Sequence, residues 1–421
     1  MRQINIKSNQ ITRVEGHGNL VVKASSGKVD EVRWEVTESP RFFELMLRGR
    51  PWHEAHVLAS RICGICSVSH QLASLAATEA ALGVQPSEQT VLLRKLLNVG
   101  EMIESHMLHV YLLASPDFLD AGSIFPLMHS NRDTVLTGLR LKKLGNDIME
   151  LIGGRAVHPQ AAIVGGFGRL PHKQTLLYLK KRLQQALPDL EATIKLFKQF
   201  DVPQFLRETE YVALRHPDEY ALIRGLICST DTGIAPLDKY SDITNEYCVP
   251  HSTAKFTKHV RESYMVGALA RLNINYNLLN PLAKKAAAEL GLKAMCHNPF
   301  MNTLAQIVET IHEVEEGQYV IKRLLESGVS EEKISIQVKE GRGVGVVEAP
   351  RGLLIHDYTY DEIGCIAKAN CVIPTNQNHA NIQRDLETLV QDNLNKNQKE
   401  LKLLCEMLIR SYDPCISCST H

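Results

Sequence analysis

The first three dozen residues alternate apolar and polar side chains, through INIKSN and GNLVVKAS, a turn at SSGK, and VDEVRWEV. A period of two marks strands with one buried face, so a small sheet is expected over about residues 1–36. From Pro40 the period lengthens: RFFELMLRG, AHVLASRICG and SVSHQLASLAATEAALG set apolar residues three and four apart, the last closing on Gly83 with Pro86 beyond. PSEQTVLLRKLLNVGEMIESHMLHVYLLAS predicts a long helix that starts at Pro86 and Ser87. It is expected to stop at Ser115, because the residue before a proline leaves the helical region. Further helices are expected at about 131–152, at 172–187 with a continuation past Pro188 to 199, at 254–289 and at 299–327. Alternation returns in KISIQVKEG, VGVVEAP, RGLLIHDYTY and CIAKANCVIP. A last helical stretch over about 379–410 leads into SYDPCISCSTH.

The fold class this predicts is α-rich α+β, a core of long helices with small β regions near the N-terminus and in the C-terminal third. No repeat, low-complexity tract or linker divides the chain. One unit over 1–421 is expected: the sheet at about 1–36, a helical core at 40–327, a β region at 333–374 and a C-terminal helix with its motif at 379–421. Charge changes the picture by exclusion. The 47 Lys and Arg balance 47 Asp and Glu and form no block, which argues against a nucleic-acid footprint. No run approaches the ~18 apolar residues of a spanning helix, so an integral membrane protein is not expected. The opening MRQINIKSNQ lacks the basic start and apolar stretch of a secretory signal, and a cytoplasmic location is expected.

Ten cysteines add the candidate chemistry. In a reducing compartment they are expected as thiols or metal ligands rather than disulfides, and four fall into two CxxC pairs, Cys63 with Cys66 and Cys415 with Cys418. Two thiolates three residues apart in a turn can reach one metal, and soft thiolates select nickel, iron, zinc or copper(I). Four without histidine suit structural zinc. Zinc ribbons, however, separate their pairs by ~15 to 20 residues, far less than the stretch between Cys66 and Cys415. A catalytic metal drawing on both ends of a buried core is the other reading. Around the pairs stand Arg13, Glu15 and His17 in TRVEGHG, Arg351 in EAPRG, Thr375 in VIPT, Asp413 before the second pair, and His421 at the end.

Together, RVEGHG, RICGIC-x-x-x-H, EAPRG, P-T-x-x-N and DPCxxCxxH resemble the large, catalytic subunit of nickel-iron hydrogenases. The resemblance brackets nearly the whole chain and implies that family's fold, with reversible oxidation of dihydrogen as the activity. It implies that Cys63 and Cys415 are terminal nickel ligands, while Cys66 and Cys418 bridge nickel to an iron carrying two cyanides and one carbon monoxide. Cys415 would accept the proton of heterolytic cleavage and Glu15 would carry it on, its carboxyl raised by desolvation. Arg351 would lie over the open side of the metals as a permanent cation. Thr375, with the backbone around Pro350, would bond a cyanide. Asp413 and Asp117 would orient the arginine and its surroundings, although Asp117 also reads as a cap or turn residue after its helix. Glu44 and His421, with the Cys371 carbonyl, would hold a magnesium-type ion.

The same resemblance implies a maturation protease that cuts after His421, and a partner small subunit with iron-sulfur clusters. Beyond that it implies a flavin and iron-sulfur module serving NAD or ferredoxin, with no iron-sulfur cluster or flavin in this chain. RICGICSVSH and DPCISCSTH look closest to the soluble, multimeric cytoplasmic branch, and VIPTNQN replaces an aromatic-containing segment of the membrane-linked members. Two alternatives stay open: a non-catalytic electron-transfer or assembly subunit with a four-cysteine zinc site, and a relative of a respiratory complex I subunit, which normally lacks the paired cysteines.

Other patterns are expected to carry no chemistry. HEAH at 53–56 is one residue short of a zinc-protease helix, and GRGVGVVEAPRG imitates a dinucleotide loop without the helix that must follow it, so NAD binding by this chain is not expected. His106 and His109, three apart on one helix face, read as metal ligands or proton shuttles, or more often as satisfied buried histidines. Cys371 apart, the remaining cysteines read as small buried hydrophobes.

Overall fold

The structure, a computed structural model, describes residues 3–421. Ile4–Ser8, Gly18–Ser25 and Lys28–Val36 form an antiparallel sheet in sequence order, as the alternation predicts. Its apolar face buries Ile4, Ile6, Leu20, Val22 and Trp34. The Trp34 indole N–H donates to His379 Nδ1 at 2.9 Å, which seats this sheet on the helix Pro374–Asp392. The first and last parts of the chain therefore share one core.

Long helices build that core: Ser67–Leu82, Glu88–Leu108, Arg132–Gly153 and Asn302–Ser327. Ser87 caps the second, its hydroxyl accepting from the Thr90 N–H at 3.1 Å. This helix crosses Arg132–Gly153 where Gly100 meets Gly145. A Cβ on Gly145 would lie 2.4 Å from the Gly100 carbonyl oxygen, so the two backbones touch. A second close approach explains GRGVGV. The strands Gly341–Ala349, Gly352–Tyr360 and Ile366–Val372 form an antiparallel meander whose first strand lies along Ser67–Leu82. A Cβ on Gly345 would sit 2.0 Å from the Ala73 carbonyl oxygen, and one on Gly343 2.1 Å from that of Ala77. Its glycines serve strand-on-helix contact.

Four expectations are corrected. The helix from Glu88 does not end at Ser115: it widens into a π turn, His109–Ala114, and resumes as Ser115–Phe118, where Pro116 occupies the first turn and lacks no bond. The helix expected over 254–289 begins only at Ala268. Its first third holds the strands Phe256–Lys258 and Tyr264–Met265, and Gly267, at φ 116°, makes the turn into Ala268–Asn275. KISIQVKEG forms no strand up to Glu340, because residues 331–340 lie almost wholly exposed and no strand pairs with them. The last helical stretch is two helices, Pro374–Asp392 and Gln398–Ser411, the second opened by an Asn397/Glu400 capping box. The pattern also passed over a sheet in which Glu210–Arg215 pairs with Leu226–Ser229 and, in parallel, with Tyr264–Met265. Among the described residues no helix is long and apolar enough to cross a membrane.

Candidate metal centre

The two CxxC pairs arrive on different kinds of backbone. Cys63 is extended after the turn Ser60–Ile62, and Cys66 is the N-cap of Ser67–Leu82. The Cys66 N–H donates back to Cys63 Sγ at 3.1 Å. The second pair follows the helix Gln398–Ser411 through Asp413, a left-handed residue (φ 50°) directly before Pro414. Segments from across the chain fix this turn. Ile416 N–H donates to the Glu15 carbonyl at 3.0 Å, Cys415 N–H donates to Thr375 Oγ1 at 3.0 Å, and Arg41 Nη2 bonds the carbonyls of both Ile62 and Ser417.

The outcome is four buried sulfurs, Cys63, Cys66, Cys415 and Cys418, all within 4.8 Å of one another, with Cys63 and Cys415 Sγ 3.7 Å apart. Soft donors converging from two loops in a buried site fit nickel and iron as they fit zinc. Cys415 and Cys418 differ from the expected free thiols, since their sulfurs are joined in a disulfide. Their Cα atoms stand 5.4 Å apart, a separation that allows a disulfide and, once that bond is reduced, brings both thiolates to one metal. Burial works against a Cys63 thiolate. The hydrogen bond with Cys66 and the charge of Arg351 outweigh it, holding Cys63 below the ordinary thiol range, while Cys66 is pushed well above it by that same hydrogen bond and by burial.

Around the sulfurs the expected residues separate into groups. Arg351, 3% exposed, gives Nε to the Asp413 carbonyl (2.9 Å), Nη2 to Asp413 Oδ1 (3.0 Å) and Nη1 to Ser105 Oγ (3.2 Å). Asp413 in turn accepts from Gln306 Nε2 at 3.0 Å. Glu15 reaches into the second pair: its carboxylate accepts from the Ser417 N–H at 3.0 Å and from the Ser417 hydroxyl. Asp117 is not brought to Arg351. Arg13 and Arg410 hold it instead, Arg410 Nε at 2.7 Å, while the third group bonded to Arg351 is Ser105. The Pro350 carbonyl accepts from Arg271 Nη2 at 3.0 Å. Glu44 meets Cys371 through that residue's N–H (2.8 Å), not its carbonyl, and lies 3.5 Å from His421 Nε2. Despite burial, His421 and this N–H keep the Glu44 carboxyl below its usual range.

The histidine pair on the long helix is spoken for. His106 Nε2 pairs with Glu309 at 2.9 Å, while His109 bonds Gln306 and the Arg410 carbonyl. Of HEAH, His56 is buried and held neutral, pushed down to about 4 by desolvation first, while His53 is exposed. Ser417, Ser105, Gln306, Arg41 and Arg271 escaped the sequence reading. Only Arg271 announces itself, as a cation inside the apolar run ALARLNI.

Comparison with known proteins agrees with this geometry. The nickel-dependent hydrogenase family matches residues 41–135 and 252–421. The chain is 35% identical over 418 residues to sulfhydrogenase 1 subunit alpha of Pyrococcus furiosus, covering 99% of this chain and 97% of that one. It is 28% identical over 467 residues to the beta subunit of the NAD-reducing hydrogenase of Cupriavidus necator, covering 98% and 93%. The crystal structure of an NAD+-reducing nickel-iron hydrogenase superposes over 100% of both chains with a TM-score of 0.86 at 28% identity. With its four clustered cysteines and full-length relatives, the chain belongs to the nickel-dependent hydrogenase family, as a large subunit that catalyses dihydrogen oxidation and production.

Proposed function

We propose that dihydrogen is cleaved heterolytically and reversibly beside Cys415, that Glu15 carries the proton away, and that the electrons pass to an iron-sulfur small subunit. Cys63, Cys66, Cys415 and Cys418 would hold a nickel-iron centre, Cys63 and Cys415 on nickel and Cys66 and Cys418 shared with an iron carrying cyanide and carbon monoxide, and that centre would supply an electron-rich site that polarises dihydrogen. The chain's own residues do the rest. Arg351, locked by Asp413 and Ser105, holds a permanent positive charge against the thiolates and excludes water from that side. Thr375 accepts from the Cys415 N–H, which leaves its own hydroxyl proton for a cyanide. The Pro350 carbonyl is occupied by Arg271 and has no proton to give, so Thr375 is the donor.

The contact between Glu15 and Ser417 carries the proton reading. A proton accepted by Cys415 Sγ lies two residues from a hydroxyl already bonded to the Glu15 carboxylate, and each further hop needs one hydrogen bond to reorient. The N–H of Ser417 holds Glu15 in place throughout. Glu44 and His421 hold a magnesium-type ion that ties the C-terminal turn to the strand Ile366–Val372. The electrons continue from the small subunit to a flavin-bearing module in the cytoplasm. Two of the similar proteins are NAD-reducing by name, which supports NAD over ferredoxin as acceptor.

Infrared spectra and metal analysis of the purified complex test the centre: cyanide and carbon monoxide bands with nickel and iron are expected, and zinc alone overturns the reading. Glu15→Gln tests the relay. Turnover and hydrogen-isotope exchange are expected to fall by roughly two orders of magnitude with the metals retained; wild-type rates sink the role of Glu15.

A further inference from the structure

Cys66 stands at the N-cap of Ser67–Leu82, a place ordinarily held by Ser, Thr, Asp or Asn, whose side-chain oxygen accepts the N–H of the second or third helical residue. Its sulfur makes no such bond and belongs to the cluster of four. The N–H groups left over are those of Val68 and Ser69, both fully buried, where an unmatched donor is costly. The hydroxyls of the first turn do not serve them: Ser67 Oγ accepts the His158 N–H at 3.0 Å, and Ser69 Oγ donates away from its own helix, to Glu101.

The missing acceptor comes from the facing helix, Glu88–Leu108. Glu101, fully buried, takes the Val68 N–H on Oε1 at 2.6 Å and the Ser69 N–H on Oε2 at 3.0 Å. One turn further along the same face of that helix stands Ser105, which accepts Arg351 Nη1 at 3.2 Å. The helix cannot slide to suit either contact, because the backbone at Gly100 lies against that of Gly145. A single helical turn therefore sets the start of the Cys66 helix against Arg351.

We propose that Glu101 is the positioning residue of the first cysteine pair: it caps the helix in place of Cys66, which leaves that thiolate free for the metals, and together with Ser105 it holds Cys66 and Arg351 in one register. The proposal rests on the reading of Cys66 as a metal ligand. Cys63 depends on the same turn, since the Cys66 N–H donates to Cys63 Sγ at 3.1 Å, so a helix start that shifts moves both sulfurs.

What acts here is the reach of an acceptor oxygen, not its charge, and two variants separate these. Glu101→Gln loses the charge but keeps an oxygen at the same length, and Oε1 alone already reaches both N–H groups, at 2.6 and 3.2 Å. Glu101→Asp keeps the charge and draws the acceptor back by one methylene.

The test compares the two in the intact complex by nickel content, by the infrared carbon monoxide band and by hydrogen exchange of the peptide that holds Val68 and Ser69. Glu101→Gln is expected to match the wild type in all three. Glu101→Asp is expected to exchange roughly tenfold faster at these amides, to shift and broaden the band, and to turn over roughly tenfold more slowly per nickel. Failure of Glu101→Asp to take up nickel supports the proposal when Glu101→Gln is fully loaded. Wild-type exchange and band in Glu101→Asp, or a Glu101→Gln protein as impaired as Glu101→Asp, overturns it. Cys66→Ser tells this failure from that of the ligand reading: loss of metal there beside an unaffected Glu101→Asp keeps the ligand and refutes the cap, whereas full metal content in Cys66→Ser refutes the ligand and the positioning role with it.

Discussion

A guanidinium that is 3% exposed must have its donors matched, and Arg351 matches them with two groups of Asp413 and one hydroxyl of Ser105. A lysine ammonium keeps the charge but cannot span these three acceptors at once. Arg351→Lys is therefore expected to lower turnover by roughly two orders of magnitude at unchanged metal content. Full turnover in the variant, measured with an artificial electron acceptor, shows that charge alone suffices. Ser417 is the complementary case. Ser417→Ala leaves the N–H that positions Glu15 and removes only the hydroxyl, so roughly tenfold slower turnover and a larger solvent isotope effect are expected. An unchanged isotope effect places the proton elsewhere. Motif residues were legible because chemistry fixes their type: a thiolate, a permanent cation, a carboxylate before the ligand turn. Asp117 shows the limit of such reading. Nothing in its local sequence reveals that Arg13 and Arg410, from both ends of the chain, converge on it and leave Arg351 to Ser105.

At the scale of elements, the period of apolar residues reported what it physically encodes, which is burial. The N-terminal sheet and the helix Arg132–Gly153 bury one face each, and both are where the pattern sets them. KISIQVKEG has the alternation without a partner strand, and pairing partners are not written in a segment's own residues. The stretch before Ala268 fails for the opposite reason: Tyr264–Met265 is a strand because Glu210–Arg215 lies beside it, more than forty residues away in sequence. The alternate glycines of GRGVGV are likewise explained by their neighbour, the Ala-rich helix behind Cys66. Gly345→Ala places a methyl against the backbone of Ala73 and Ala77, which has no flexible end to yield. It is expected to destabilise by about 3 kcal/mol, at the upper end of overpacking costs. Because Ser67–Leu82 starts at Cys66, the displaced helix is expected to carry that thiolate out of register and lower nickel occupancy. A melting temperature lowered without loss of nickel separates the strand contact from the metal loop.

The whole molecule holds many titratable groups in its core, and their opposing shifts set where it is most stable. Six buried histidines are depressed, with burial as the largest cause: His56 and His312 to about 4, His356 and His379 to about 3, His70 well below its ordinary value and His106 below it. Each contributes stability that is complete above the free value of 6.5 and is lost as pH falls, because the unfolded chain takes up protons the folded one refuses. Four carboxyls are raised by burial: Glu101 to about 8, Glu348 to about 7, Glu313 well above its range and Asp385 above its own. Their contribution has the other sign, complete below the free value, 4.5 for the glutamates, and lost as pH climbs through the folded values. Between 4.5 and 6.5 six histidines act against four carboxyls, a net of about two protons, and each net proton is worth about 1.4 kcal/mol per unit of pH. Below 4.5 the glutamate offset ends, only Asp385 still opposes the histidines, and Glu44 and Glu309, held below the ordinary carboxyl value, add to the loss. The urea midpoint of the metal-loaded protein is therefore expected to peak near pH 6.5, to decline gently on the alkaline side and on the acid side down to 4.5, and to fall steeply below that. His379→Gln is expected to flatten the acid limb by one proton, because this ring accepts only the Trp34 N–H and has no charged partner to replace. A midpoint constant from pH 4.5 to 6.5, or an acid limb unchanged in His379→Gln, means the core histidines are not held neutral.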